Sequence, residues 1–480
     1  MRTIATSMSS LVLLVALTPA ARAEDAPAGP GAGAGVGAPA EAVEELAPPP
    51  RWAFWLLAQE QYRFRATTTY GSDPIGDERD HDLRLFLDGG VISPDDDFQA
   101  HLSGALWLDA DGNTQDGRST ALAEWTGYRR VWWDIYTLSA EYLSDGVLKL
   151  ARGGRQVSEH GPAVTFDGVA LDVRAAGRLL EVFAFGGRTV HFFELSAGMF
   201  EDWLGSAGLV LRPLEGLRLE LDYRLQLEDV LSADEVAREQ RTDHGYGLTL
   251  AYALEDRLRV QARLRGVNDQ LALAGADLRF EHRPWELGLD LGLDAQPATL
   301  RELGERLDPL YLILGESLPN LRWRLDAWKD FSTEAGRFGL HLGFAGRHVL
   351  SGDEGPFNRS LARVYAAVVA HDLGVQGLYA SLSLEEHLTL PGSAQPDVHH
   401  AAVGGSLGYD GAWLQAEAGS YYQRFKYDYF ADLREVADVR TVYGQLGFKA
   451  LGWLSVRARY ELEWTDRDVH ILTLTLGQSI

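Results

Sequence analysis

The residues best suited to chemistry are arginines that share one parity of alternating segments. Arg63 and Arg65, Arg84, Arg218 and Arg224, Arg259, Arg263 and Arg265, Arg279 and Arg283, Arg322 and Arg324, and Arg457 and Arg459 occupy alternate positions of segments whose other positions are largely apolar. Acids share their parity, notably Glu220, Asp222, Asp277, Glu281, Asp290, Asp326, Glu461 and Glu463. A guanidinium is a flat fork of donors, so a row of them makes successive weak contacts with hydroxyls or carboxylates moving past. The same residues equally suit cross-strand ion pairs that stiffen a wall and do nothing more. Trp107, Phe166, Trp328, Tyr379 and Tyr443 share this parity, where a ring either stacks on a sugar or fills space.

Groups for other chemistry are sparse. The chain has no cysteine, which removes disulfides, thiolate metal sites, cysteine nucleophiles and a lipid-modified N-terminal cysteine. His387, His399 and His400 cluster in sequence, yet adjacent strand residues face opposite ways and make a poor catalytic or metal pair. No Gly-rich phosphate loop or nucleophile elbow follows a strand. The expectation is therefore no enzyme, no cofactor and no metal. A formal net charge of -25 speaks against nucleic acid as a partner.

Positioning such side chains takes elements with one greasy and one wet face. Leu217, Leu219, Leu221, Tyr223, Leu225 and Leu227 alternate with Arg218, Glu220, Asp222, Arg224, Gln226 and Glu228, the period of a strand. Leu258 to Arg265, Trp285 to Asp294 and Leu454 to Trp464 repeat the pattern. Runs of roughly ten to twelve residues exceed the five or six usual in soluble sheets and match a tilted strand crossing a bilayer. Trp52, Trp55, Trp132, Trp133, Trp285, Trp413, Tyr421, Tyr422, Trp453 and Trp464 lie near segment ends, where interfacial girdles belong. Short turns such as Ser144-Asp145-Gly146, Leu214-Glu215-Gly216 and Asp410-Gly411 mostly alternate with longer, acidic connections.

These features predict an all-β fold: a transmembrane antiparallel β-barrel with an even number of strands, about 18 to 22, short periplasmic turns and longer external loops. A barrel of that size encloses an open lumen or a plugged one. Residues 1–23, with Arg2, the apolar Leu11 to Leu17 and Ala21-Arg22-Ala23, read as a signal peptide. Residues 24–50 form a flexible Pro/Gly/Ala-rich linker, and 51–480 form the barrel. Between Asp294 and Asn320, Leu300, Leu303, Leu307, Leu310 and Leu314 recur at helical spacing, predicting a short amphipathic helix that enters the pore or caps its rim.

One hairpin pair carries a family resemblance. Arg152-Gly153-Gly154-Arg155-Gln156 is followed by Phe166-Asp167-Gly168-Val169-Ala170-Leu171. This resembles the R-x-G-R-Q and F-D-G-x-x-L motifs of the alginate-export-like outer-membrane porins, a polysaccharide-export family. The motif residues are Arg152, Gly154, Arg155, Gln156, Phe166, Asp167 and Gly168. The resemblance implies an 18-stranded, monomeric barrel through which a secreted polysaccharide leaves the cell, handed over by periplasmic export machinery. Arg155 is expected to pair with a wall acid and Gln156 to satisfy loop carbonyls. The mixed charge and scarce lysine depart from that family's cationic pore, and Ile480 stands where an aromatic is common. The transported chain and the surrounding outer-membrane lipid and lipopolysaccharide are the expected partners. A diffusion porin or specific uptake channel, with an arginine–acid eyelet formed by an inward loop, is the competing reading; an adhesin or structural barrel is a third.

Overall fold

The computed structural model describes residues 52–69, 78–110, 131–190, 202–231, 238–255, 257–299, 318–351, 359–391, 393, 400–423, 438–464 and 467–479. The expected signal peptide and linker, and most of the segment from Asp294 to Asn320 expected to carry a short helix, lie outside the described residues.

Among these residues the chain forms 22 strands and one 3-10 turn, Arg283–Trp285. In chain order they are β1 Ala53–Thr69, β2 Glu78–Ile92, β3 Phe98–Asp109, β4 Val131–Leu143, β5 Leu148–Val157, β6 Thr165–Arg174, β7 Leu180–Thr189 and β8 Trp203–Leu214. Then come β9 Leu217–Leu231, β10 Arg238–Leu254, β11 Leu258–Val267, β12 Gln270–His282, β13 Leu287–Gln296, β14 Asn320–Thr333 and β15 Gly336–Val349. The last seven are β16 Leu361–His371, β17 Leu378–Thr389, β18 His400–Asp410, β19 Leu414–Gln423, β20 Val439–Leu451, β21 Leu454–Trp464 and β22 Arg467–Ser479. Each pairs antiparallel with the next, and β22 returns to β1 from Leu57↔Ser479 to Thr69↔Arg467, closing the sheet. The strand number stands at the top of the expected range, four above the 18 that the resemblance implies.

Alternation survives closure. Leu138, Val169, Leu293 and Leu382, each more than half exposed, stand on the parity that points outward. The opposite parity is concave, because its side chains meet across an intervening strand: Arg263 on β11 reaches Asp294 on β13 at 2.7 Å, and Tyr379 on β17 reaches Glu417 on β19 at 3.0 Å. Such a leucine-rich exterior is a surface for lipid, whereas the interior is polar. No described helix is long and apolar enough to cross a membrane, which says nothing of strands.

Connections are short at one end, as at Glu215-Gly216, Glu334-Ala335 and Gly452-Trp453. At the other end most are longer, although Asn268-Asp269 closes β11 onto β12 with Asn268 at positive φ. Trp52, Trp133, Trp285, Trp413 and Trp453 are exposed, as girdle residues would be. Trp55 and Tyr421 depart from that expectation: register places them on the inner parity, opposite Gly90 and Thr441 respectively. Bulges at Ser103/Gly104 and Lys449/Leu451 locally reset the alternation, so position near a strand end does not by itself decide facing.

The two faces make opposite demands on an arginine. Placing one on the exterior costs about 2 to 4 kcal/mol at the bilayer midplane. Leu221→Arg is therefore expected to lower the yield of folded, heat-modifiable barrel, and Arg224→Leu to preserve it, as read by electrophoresis of unboiled membranes.

Candidate functional site

The inner wall gathers the arginines singled out above. Arg63 and Arg65 on β1, Arg84 on β2, Arg218 and Arg224 on β9, Arg259, Arg263 and Arg265 on β11, Arg279 on β12, Arg322 and Arg324 on β14, and Arg457 and Arg459 on β21 occupy it. Glu220, Asp222 and Asp290 stand beside them. Arg283 does not; it lies in the 3-10 turn below the wall.

Several of these charges are answered locally. Arg263 bridges Asp294 at 2.7 Å and Asp277 at 3.4 Å. Arg324 lies among Asp290 at 3.0 Å, Asp326 at 3.4 Å and Asp277 at 3.7 Å. Arg265 pairs with Asp222, Arg459 with Glu461, and Arg279 with Glu281 at 2.7 Å. Arg363 grips Glu385 bidentately at 2.9 and 2.7 Å, a pair that sequence reading missed although both residues lie on the inner parity. Half-exposed ion pairs of this kind add little stability each. Together they give a wall dense in donors and acceptors with little net charge.

Aromatic rings line the same surface by a recurring device. Trp55, Trp328, Tyr365, Tyr379 and Tyr443 each face a register-partner glycine: Gly90, Gly288, Gly343, Gly408 and Gly419. A Cβ on these glycines would lie 1.9 to 2.6 Å from the ring, so the missing side chain is what lets the ring settle against the wall. Guanidiniums cap several rings, with Arg459 at 4.2 Å from Tyr443, Arg84 at 4.9 Å from Trp107 and Arg363 at 4.9 Å from Tyr365. Tyr379 and Tyr443 both donate to Glu417, at 3.0 and 2.7 Å. Phe166, expected among the available rings, is fully buried with Phe183, Phe185, Leu204 and Val210 and offers no free face.

The motif hairpins are structural. Arg155 donates to both oxygens of Asp167, at 2.8 and 2.7 Å, and to the Ile135 carbonyl at 2.9 Å. Both partners stand on the outward parity, with Leu138 opposite Arg155 and exposed Val169 two places beyond Asp167. Gln156 is buried and donates to the strand carbonyl of Gly168 at 3.1 Å, rather than to loop carbonyls. Gly154 has a φ of 117°, and a Cβ there would strike the Leu138 carbonyl at 2.1 Å, so glycine is required at this close approach. Arg152 faces inward to Glu141 and Glu159.

Between β5 and β6, residues 158–164 turn inward and lie along the wall. His160 stacks on Phe183 with centroids 3.9 Å apart and 8° between planes, and its Nε2 meets Asp172 at 3.2 Å. Its Nδ1 lies 3.7 Å from Glu220, and the Gly161 amide donates to Glu220 at 3.0 Å. All three titratable groups are buried. The segment thus thickens the inner face over β6, β7 and β9. Nothing in the sequence pattern marked it, because it is a connection without alternation whose partners come from three different strands. Among the described residues no three His, Cys, Asp or Glu are grouped to hold a metal.

No protein-family model matches the chain, and no curated protein does. Solved structures similar to it include the P pilus usher (PapC) translocation pore, 7% identical, TM-score 0.47, covering 88% of this chain and 99% of that one. The outer membrane protein OpdK from Pseudomonas aeruginosa is 11% identical with a TM-score of 0.42, covering 89% and 98%. OccAB2 from Acinetobacter baumannii is 10% identical with a TM-score of 0.40 over the same shares.

Two predictions follow from this geometry. Arg155→Leu leaves the Asp167 carboxylate unpaired on the apolar face, so its urea midpoint should fall below wild type, and adding Asp167→Leu should recover most of the loss. For His160, burial opposes the charge, but hydrogen bonds and attraction from Asp172 and Glu220 prevail and hold its pKa at about 9, above the ordinary 6.5. A raised pKa stabilises fully below about 6.5 and its contribution disappears as pH rises through about 9. The thermal midpoint of wild type should therefore drop between pH 7 and 10 more steeply than that of His160→Gln.

Proposed function

We propose that this chain is a monomeric, non-enzymatic outer-membrane channel that exports a polysaccharide. The observation that carries the reading is the wall itself: a closed ring of 22 strands whose inner face is lined by guanidinium–carboxylate pairs and flat aromatic rings. Hydroxyls passing such a wall exchange one weak hydrogen bond for the next without leaving a charge unpaired. A closed sheet of this strand number has room for a hydrated chain. The R-x-G-R-Q and F-D-G-x-x-L resemblance supports the export direction and a periplasmic hand-over. Lipid and lipopolysaccharide surround the leucine-rich exterior in this reading.

One observation favours a second reading. The inward segment 158–164, with Arg152–Glu159 and Arg218–Glu220 beside it at 2.5 Å each, has the arginine–acid character of a porin eyelet, which would suit small solutes. It lies along one side of the wall, on β6, β7 and β9, which leaves the export reading in front.

Deleting the gene decides between them. Export predicts loss of secreted polysaccharide with small-solute permeability retained; unchanged polymer with lost permeability would replace it with the porin. Replacing Arg259, Arg263 and Arg265 together with Gln should alter single-channel conductance and ion preference. Unaltered currents would reduce those residues to struts.

A further inference from the structure

We propose that the luminal recess around Trp328 is a binding subsite for an uncharged saccharide ring, an inference that rests on the channel reading and names its substrate class. The recess, about 950 Å³, lies on the inner wall of β12 to β16. Its platform is the Trp328 indole, seated over Gly288, where a Cβ would come within 2.0 Å of the ring.

The face of this ring is less closely covered than those of three other luminal rings. The guanidiniums over Tyr443, Trp107 and Tyr365 lie at 4.2 to 4.9 Å, within stacking contact. Arg279 stands at 5.6 Å from the Trp328 centroid and is tied to Glu281 through its Nε at 2.7 Å. Indole also offers the largest π-face, and the face of a sugar ring presents C–H groups suited to it.

The polar rim specifies what lies on that platform. Asp290, Asp326 and Asp330 surround the recess. Asp326 already accepts the Tyr365 hydroxyl and lies 3.4 Å from Arg324, whereas the Asp330 carboxylate is exposed and makes no hydrogen bond or ion pair among the described residues. His341 lies 3.1 Å from the Tyr365 hydroxyl. Carboxylates accept hydrogen bonds, so the ring they welcome is one that donates hydroxyls. A uronate would bring its own negative charge against Asp326 and Asp330.

The test uses the full mature chain in two formats with a neutral gluco-oligosaccharide and an oligouronate of equal length as probes. Calorimetry in detergent reads the subsite whether or not the barrel conducts, and current blockade in planar bilayers reads it in the open pore. The expected result is saturable binding and blockade by the neutral probe, with calorimetric affinity weakened about tenfold by Trp328→Ala. Trp328→Phe should retain most of the binding, and Asp330→Asn should narrow the preference for the neutral probe over the uronate. Equal binding by wild type and Trp328→Ala, or tighter binding of the oligouronate, would overturn the subsite. Trp328-dependent calorimetric binding by a barrel that passes no current would instead leave the subsite standing and sink the channel reading.

Discussion

A polypeptide crossing hydrocarbon must satisfy every backbone N–H and C=O within its own sheet, and the pairing of β22 with β1 is what makes this possible here. Without that seam two long edges would lie unpaired in lipid. Closure also fixes an inside and an outside, and the two-residue period of the strand then assigns each side chain to one of them. The leucine-rich exterior and the charged interior are consequences of a single geometric condition.

Inside, the constraint changes from solvation to charge balance. A wall crowded with arginine would repel itself, and the answering acids come from neighbouring strands and from strands one removed, as Arg324 with Asp277 and Arg263 with Asp294 illustrate. The concavity of the sheet makes those longer reaches possible. The hairpin bearing Arg155 and Asp167 inverts the arrangement by setting a bidentate ion pair on the outward face. Its mutual neutralisation is what makes that position tolerable. Arg155 and Asp167 themselves therefore serve the architecture of the wall.

Alternation along single strands was legible in the sequence because it is local: Leu217 to Glu228 declares its two faces without reference to any neighbour. Strand number and closure follow from counting such segments. What depends on register was not legible. Trp55 and Tyr421 sit near strand ends, yet their parity takes them inside. Phe166 has the parity of a luminal ring, but Phe183 and Phe185 from the next strand bury it. Tyr365 and Glu385 could have been found by extending the parity argument to β16 and β17. His160 could not, since it lies in a connection and its partners are brought together only by the pairing of β6 to β9.

The glycine beneath five of the luminal rings bears on how such a molecule finds its own alignment. A sheet written in repeated apolar–polar doublets tolerates sliding by two residues, because every greasy position still lands outside. A slide of that size would bring Trp328 opposite Asp290 or Glu286, Tyr365 opposite His341 or Ala345, and Tyr443 opposite Glu417 or Tyr421. In every case a bulky ring would meet an occupied site. These paired large and absent side chains act as a key cut into an otherwise periodic lock, selecting one alignment among many that hydrophobicity alone would accept.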